Sequence, residues 1–533
     1  MNDVGREAER APRVTTAYDE VPYPGLPHTE THLDHLAVIG KLHGMAPVPP
    51  ERCRVLEIGC GDGANLIPMA DQYPQSEFLG IDLSERAIAR GRADAAELAL
   101  QNIALRHRDI LEVSARDGQF DYIIAHGIYS WVPHAVRDKI LSIFAQNLTP
   151  AGIAYVSYNA YPGAHLNNLV CSMLLYHTRD VSDPAARTAQ ARKLMDILAE
   201  ASAENTVYGA VLRDRAMQMR QGPDHLLIHD DLAPSTTAFF LYEVLEAAAV
   251  HGLQYVADAS FVSATVSERA RSMLDAIPEQ NVAVRDQYLD FVQGREFHRT
   301  VFSHKNIPLR RPIPSAAVRD LYLSSRAAPT GEFDPAAPGV IEFRMDNRTL
   351  RTDHRLAKAA LLLLGKAWPQ AIAFADLAAQ ASSLVATPAT PVPDADVDNL
   401  AEIMLRSFIA GHLHLHYRPP PLTTSVVERP LASRYARWQA RRKNLLTTLR
   451  HDLIYLVDKT AWRLLLLCDG SRTVDELARD LKSWPAGGGD IPEPAGLEPN
   501  GDASAQITRE TVQAALGRLA KIALLVRSAS PPA

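Results

Sequence analysis

Apolar runs of strand length alternate with polar segments over the first third of this 533-residue chain. Five such runs begin at Val55, Glu77, Ile103, Phe120 and Gly152. The segment 137–148, between the last two runs, carries its apolar residues on one helical face. This alternation predicts an α/β fold with a doubly wound, Rossmann-like sheet.

The pattern changes after the fifth run. Residues 164–221 have helical spacing and no strand signal. A helix predicted at 237–251 ends at Gly252, and a sixth strand follows at Leu253–Val256. The segment Arg295–Lys305 predicts an antiparallel seventh strand. We therefore expect a helical insertion that caps the site, followed by the strands that complete the sheet.

The C-terminal part is rich in proline, alanine and leucine. A layout of three helices and a short strand occurs there twice, which predicts two mostly α, winged-helix-like modules at residues 306–425 and 426–533. Such folds often bind DNA. The candidate recognition helices, 397–408 and 508–524, hold few basic residues, so a protein-docking role is favoured over DNA binding.

The segment before the first strand is predicted to be a strap followed by a helix. Its prolines forbid a helix until Thr29 or Thr31, either of which is a suitable N-cap for a helix through Leu42. Tyr18 and Tyr23 in the strap either close a ligand pocket or only pack.

A glycine-rich turn follows the first strand. Gly59, Gly61 and Gly63 let the backbone turn tightly and approach a ligand. A helix predicted to open at Ala64 directs free N–H groups at that ligand. Asp82 lies about 20 residues further on, where an acid accepts hydrogen bonds from ribose hydroxyls. The motif of this turn has two interpretations. Read as G-x-G-x-x-A, it fits a dinucleotide; read as E-x-G-x-G-x-G, it fits S-adenosylmethionine (SAM).

Polar and aromatic residues follow the fourth and fifth strands. Because ligands of such sheets lie beyond the carboxyl ends of the strands, these loops are expected to border the reacting group. Aromatic faces and carbonyls orient an amine and relieve positive charge. We predict that Tyr129, Trp131, Asn159 and Tyr161 perform this role; for Trp131 and Tyr161 the alternative is that they only fill the loop core.

Charge and composition narrow the class of protein. The net charge of −7 argues against a general polyanion binder, so nucleic acid is not the expected partner. The polar N-terminus and the lack of a long apolar run predict neither a signal peptide nor membrane insertion. The four cysteines have no disulfide or zinc spacing, which favours a reducing, cytoplasmic location.

Several longer motifs carry a family resemblance. They are YDEVPYP near the start, EIGCGDGANL, HGIYSWVP, YNAYPG, HDDLAPSTTAFFLYE, HGLQYVADA and DQYLDFVQGREFHRTVFSHK. Together they resemble bacterial class I SAM-dependent methyltransferases with a methyltransferase regulatory domain, a group that includes protein-lysine methyltransferases. The resemblance covers residues 14–305 strongly and the remainder in architecture only.

The resemblance implies SAM as the cofactor. Glu57 matches the acid near the amino end of the cofactor methionine, and Asp109 matches the acid that caps the adenine. The residues expected to bind the cofactor are Tyr18, Glu57, Gly59, Cys60, Gly61, Gly63, Asn65, Asp82, Leu83, Asp109, Ile110 and His126. The expected organisation is a strap and cofactor-covering helix at 1–50, the SAM-binding core at 51–163, the insertion and regulatory domain at 164–305, and the two C-terminal modules.

The leading hypothesis is a methyltransferase that N-methylates protein lysine by direct displacement. A small-molecule methyltransferase and a non-catalytic SAM-binding regulatory protein are the alternatives. The C-terminal modules are expected to dock a protein acceptor, so their removal after Lys305 should leave SAM binding intact.

Three clusters outside these motifs are interpreted as structural. His229, Asp230 and Asp231 are expected to form a capping turn, and no metal site is predicted. The alternating histidines His412, His414 and His416 are expected on an exposed strand face. The basic segment 433–444 is expected to be a solvated linker helix.

Overall fold

A seven-stranded sheet forms the core of the N-terminal half. The computed structural model describes residues 24–233, 236–261, 267–278, 280–386, 391–484, 491, 493–498 and 507–527. The strands are β1 (Arg54–Ile58), β2 (Glu77–Asp82), β3 (Ile103–His107), β4 (Phe120–Ala125), β5 (Leu148–Asn159), β6 (Leu253–Asp258) and β7 (Phe297–His304). Their order is β3-β2-β1-β4-β5-β7-β6. The first five are parallel, and β7 is antiparallel to β5 and β6, which confirms the predicted sheet.

Helices cover both faces of the sheet, as its continuous apolar strands require. The helices of the N-terminal half are α1 (Leu33–Leu42), α2 (Leu66–Gln72), α3 (Glu85–Glu97), α4 (His134–Asn147), α5 (Ala164–His177), α6 (Pro184–Ala201), α7 (Val207–Gln221), α8 (Leu241–Val250), α9 (Glu268–Asp275) and α10 (Val282–Gln293). The helix after the glycine turn begins at Leu66 and not at Ala64. His32 is the N-cap of α1; Thr31 instead donates its hydroxyl to the carbonyl of His28 at 2.8 Å.

The predicted helical insertion consists of α5, α6 and α7. The three helices pack around a small apolar core of their own that includes Leu174, Met195 and Leu212. Its polar residues Arg192 and Arg215 face the cavity beyond the strand ends. The insertion thus covers the open side of that cavity.

Two C-terminal modules follow the sheet. The first contains β8 (Tyr322–Ser324), β9 (Ala328–Pro329), β10 (Ile341–Met345), β11 (Arg348–Thr352), α11 (Arg355–Ala367), β12 (Ile372–Ala373), α12 (Phe374–Val385), α13 (Asp394–Ile409) and β13 (His414–His416). The second contains β14 (Leu431–Ala432), α14 (Arg434–Ala440), β15 (Leu445–Thr447), β16 (Leu453–Tyr455), α15 (Lys459–Leu467), α16 (Val474–Lys482), α17 (Arg509–Lys521) and β17 (Leu525–Val526). The first module has the predicted order of three helices and a short terminal strand, and in the second α15, α16, α17 and β17 repeat that order after one additional helix, α14.

Both modules pack directly on the N-terminal half. In the first, Val38 and Leu42 of α1 share an apolar cluster with Leu323 and Leu415. His416 is buried and its Nδ1 lies 2.9 Å from Asp34 Oδ2. The expectation of an exposed histidine face is therefore wrong for His416, because that face of β13 meets α1.

The basic segment also packs on the core. Arg434 donates to Asp71 at 2.6 Å, and Arg442 pairs with Glu97. Between these ion pairs, Tyr435 is buried against Ile67. The expected solvated linker is wrong, because the arginines complement acids on α2 and α3.

Candidate active site

The glycine turn is held tightly between β1 and β2. Gly59 has φ +72° and Gly61 has φ +55°, a region that favours glycine. A Cβ on Gly59 would lie 2.8 Å from Ile128 Cδ1, whereas one on Gly61 would meet nothing within 4 Å. The Gly61 amide donates to Asp82 Oδ2 at 2.8 Å. The turn is therefore rigid and leaves free space where a ligand approaches the backbone.

A cavity of about 880 Å³ opens beyond the carboxyl ends of the strands. Twelve of the predicted site residues line it: Glu57, Gly59, Cys60, Gly61, Asn65, Asp82, Leu83, Asp109, Ile110, His126, Trp131 and Asn159. Gly63 lies behind the wall, where a Cβ would come within 2.9 Å of Leu105 Cδ1. Tyr18 and Tyr23 fall outside the described residues. The cavity is large enough for a nucleoside-sized ligand together with an acceptor group.

Glu57 places a buried carboxyl group in the wall of this cavity. Its Oε1 accepts from Asn65 Nδ2 at 2.7 Å, while its buried Oε2 has no hydrogen-bond partner among the described residues. Burial raises the pKa of Glu57 to about 8. An unpartnered carboxyl oxygen fits an ammonium group such as that of the SAM methionine. The residues present therefore fit this cofactor.

Two further acids lie at the ends of β2 and β3. Asp82 Oδ1 accepts from the Ser84 amide at 2.8 Å, and Asp109 Oδ1 accepts from the Leu111 amide at 2.9 Å. A carboxylate oxygen has two acceptor sites, so Asp109 retains capacity for a ligand amino group. Their backbone bonds fix the carboxylates in the cavity wall.

A neutral histidine pair forms another part of the wall. The rings of His28 and His126 stack with centroids 3.6 Å apart, and His126 Nδ1 lies 3.0 Å from the Tyr155 hydroxyl. Burial lowers the pKa of His28 to about 4 and that of His126 well below its ordinary value. Both rings are uncharged near neutral pH, so they do not repel a cationic sulfonium.

The four predicted acceptor residues lie in two different environments. Trp131 and Asn159 line the cavity. Tyr129 is 3% exposed and packs edge-on against Phe239, with ring centroids 5.4 Å apart. Tyr161 stacks on His165 at 4.1 Å and does not line the cavity. The positions of Tyr129 and Tyr161 thus do not agree with direct contact with the acceptor, because each ring packs against aromatic neighbours instead.

The cavity has charged wall residues that sequence spacing did not reveal. Asp230 and Asp231 come from the segment after α7, Glu296 immediately precedes β7, and beside them lies the aromatic Phe297, the first residue of β7. Asp231 pairs with Arg215 at 2.6 Å, and burial, followed by the charge of Asp231, raises the pKa of Asp230 to about 6. The motifs HDDLAPSTTAFFLYE and DQYLDFVQGREFHRTVFSHK contain these acids and Phe297, but their spacing does not show that the fold brings them to one cavity.

The segment 227–231 forms a π-helical turn and not the predicted cap. The described residues contain no group of histidine, cysteine and acidic side chains suited to a metal ion. Cys60 in the glycine turn is a buried free thiol whose pKa burial raises well above its ordinary value. No helix in the described ranges is long and apolar enough to cross a membrane.

The chain has the sheet order, the glycine turn and the strand-end acids of a class I SAM-dependent methyltransferase. Three family models match the chain: a methyltransferase domain at residues 55–152, a methyltransferase regulatory domain at 223–304, and the C-terminal winged helix domain of PKMT at 428–524. The chain belongs to the family of SAM-dependent methyltransferases that carry this regulatory domain.

Relatives and solved structures agree with this family. Uncharacterized protein RP028 of Rickettsia prowazekii is 36% identical over 44% of this chain and 93% of its own length. Uncharacterized protein RP789 of the same organism is 29% identical over 85% of this chain and 82% of its own. The structure of PKMT2 from Rickettsia typhi in complex with AdoHcy has 27% identity and a TM-score of 0.82, and the match covers 95% of this chain and all of that one.

Proposed function

We propose that this methyltransferase transfers the methyl group of SAM to the side-chain nitrogen of lysine in a protein. The observation that carries the proposal is the likeness to PKMT2, a protein-lysine methyltransferase, over the whole length of that chain. The match to the PKMT winged helix at residues 428–524 adds to it, because that part lies outside the methyltransferase core.

The cavity wall also supports a cationic acceptor. Trp131 and Phe297 contribute aromatic rings, Asn159 contributes an amide, and Asp230 and Glu296 contribute carboxyl groups. Aromatic faces and carboxylates attract an ammonium ion. A carboxyl group with a pKa of about 6 is ionised at neutral pH, so Asp230 is suited to receive the lysine ammonium.

Transfer requires that the lysine nitrogen lose its proton and attack in line. When bound, SAM supplies the activated methyl group. In this proposal Asp230 accepts the proton, directly or through water, while Trp131 and Asn159 hold the neutral amine in line. In this proposal the insertion, whose Arg192 and Arg215 line the cavity, limits the access of bulk water.

The test is to incubate the full-length protein and SAM carrying a deuterated methyl group with a lysate of a bacterium that lacks the gene. Mass spectrometry after total hydrolysis of the protein fraction should find labelled methyl-lysine. Label found only in small molecules, or only on another amino acid, would overturn the proposal and favour the small-molecule alternative.

The variant Asp230→Asn tests the acceptor side of the cavity. We expect kcat/KM for the acceptor to fall about 100-fold, because Asn cannot accept the proton and the charge-assisted contact with the amine is lost. Its affinity for SAM should stay unchanged in calorimetry. The matched control is Asp214→Asn at an exposed position of α7, for which both quantities should equal those of the native protein.

A further inference from the structure

The second C-terminal module reaches into the cofactor site through one hairpin turn. Residues 448–452, here called the docking turn, connect β15 to β16. His451 at its tip is buried, and its Nε2 lies 2.9 Å from Asn65 Oδ1, although the two residues are 386 positions apart. Asn65 in turn donates to Glu57 at 2.7 Å. A continuous hydrogen-bonded chain therefore runs from the module to the carboxyl group in the cavity.

The direction of these hydrogen bonds is fixed by their neighbours. Asn65 Oδ1 also accepts from the His28 amide at 3.0 Å. Because a backbone amide only donates, the Asn65 oxygen must face this side and its NH₂ group must face Glu57. His451 then donates from Nε2 as a neutral imidazole. Burial, which lowers the pKa of His451 well below its ordinary value, favours that form.

The docking turn is held rigidly in place. Leu449 donates its amide to Ala523 within its own module at 3.0 Å. The Arg450 guanidinium lies 4.2 Å from the centroid of Trp368 in the first module. Thr29, in the turn before α1, donates to Asp452 at 3.3 Å. His451 itself has φ +65°, a conformation that a polar residue tolerates only where packing enforces it.

We propose that His451 is a positioning residue of the cofactor site, which orients Asn65 so that Glu57 meets the amino group of the SAM methionine. The second C-terminal module is then a structural part of that site and not only a docking surface for an acceptor. The inference uses cofactor binding alone and holds whether the acceptor is a protein or a small molecule.

The test compares two ligands that differ only at the methionine end. S-adenosylhomocysteine carries the amino-acid group, whereas 5′-methylthioadenosine lacks it. Calorimetry on the full-length variant His451→Phe should show about tenfold weaker binding of S-adenosylhomocysteine and less than a twofold change for 5′-methylthioadenosine, because only the first ligand uses the Glu57 end. Equal losses for both ligands, or none for either, would overturn the proposal.

Two further variants separate positioning from a general loss of stability. His451→Gln keeps a donor near the Nε2 position and should restore most of the S-adenosylhomocysteine affinity. Leu516→Ala weakens the apolar core of the same module without touching Asn65, so it should lower the melting temperature and leave the ratio of the two affinities unchanged. A ratio that falls equally in Leu516→Ala would show that His451 acts only through stability.

In an Asn65→Ala background, His451→Phe should have no further effect on the ratio of the two affinities; an undiminished effect there would also contradict the proposal.

Discussion

The cofactor end and the acceptor end of the cavity are built in different ways. The cofactor end takes Glu57, Asp82 and Asp109 from three successive strands, all within one continuous stretch of sequence. The proposed acceptor end combines Trp131 and Asn159 with Asp230, which follows the insertion, and Glu296, which precedes the last strand. Local motifs therefore specify the cofactor end, whereas only the folded chain assembles the acceptor end.

The largest predicted effect comes from removing the C-terminal modules. The structure changes the expectation that truncation after Lys305 spares SAM binding, because this truncation removes His451 and His416 and exposes Val38 and Leu42. We now expect no measurable SAM binding by the shortened chain in calorimetry. Circular dichroism should be recorded alongside, to show whether the fold is lost as well.

A graded truncation sharpens this expectation. A chain ending at residue 427 keeps the contact between His416 and Asp34 but lacks the docking turn. It should bind SAM more weakly than the full chain yet better than the chain ending at residue 305. Full SAM affinity in the shorter of the two chains would show that the cofactor end is independent of the modules.

The next effect concerns Asp82. Asp82→Ala removes the acceptor for the Gly61 and Ser84 amides together with the predicted ribose contacts. We expect SAM affinity to fall by roughly 2–3 kcal/mol, about 30- to 150-fold. The control is Glu77→Ala at the exposed opposite end of β2, where affinity should not change. Undiminished binding by Asp82→Ala would remove the ribose assignment.

The third effect is a pH dependence at the cofactor end. In the free protein, burial raises the pKa of Glu57 to about 8, so this carboxyl group is mostly protonated at pH 6 to 7. Pairing with the SAM ammonium requires the carboxylate, so binding must release a proton. SAM affinity should then rise about tenfold between pH 6.0 and 7.0.

The pH range of 6.0 to 7.0 lies below the pKa of the α-amino group of SAM, about 7.7–8.0, so the ligand stays protonated throughout the measurement. His28, with a pKa lowered to about 4, does not titrate in this interval. Glu57→Gln is the matched control and should lose most of this slope; any small slope that remains is assigned to Asp230, whose pKa of about 6 lies in the same interval. The same slope in Glu57→Gln would assign the proton to another group.

The two ends also show where sequence reasoning succeeds and where it stops. The cofactor end could be predicted because a glycine turn and strand-end acids at regular spacing follow from local backbone geometry. His451 could not, because its role depends on a contact across 386 positions. For Tyr129 the sequence shows that it follows β4, but not that its ring packs edge-on against Phe239.

The smallest predicted effects compare two aromatic residues that lie two positions apart. Trp131 lines the cavity and Tyr129 is buried, although both follow β4. If Trp131 guides the acceptor, Trp131→Ala should lower kcat/KM for the acceptor about fivefold through one lost aromatic contact, with SAM affinity unchanged. Tyr129→Phe keeps the buried ring and should change neither quantity by more than about twofold, since it removes only a hydroxyl. A larger loss of turnover in Tyr129→Phe than in Trp131→Ala would restore the sequence-based role of Tyr129 and remove Trp131 from the acceptor wall.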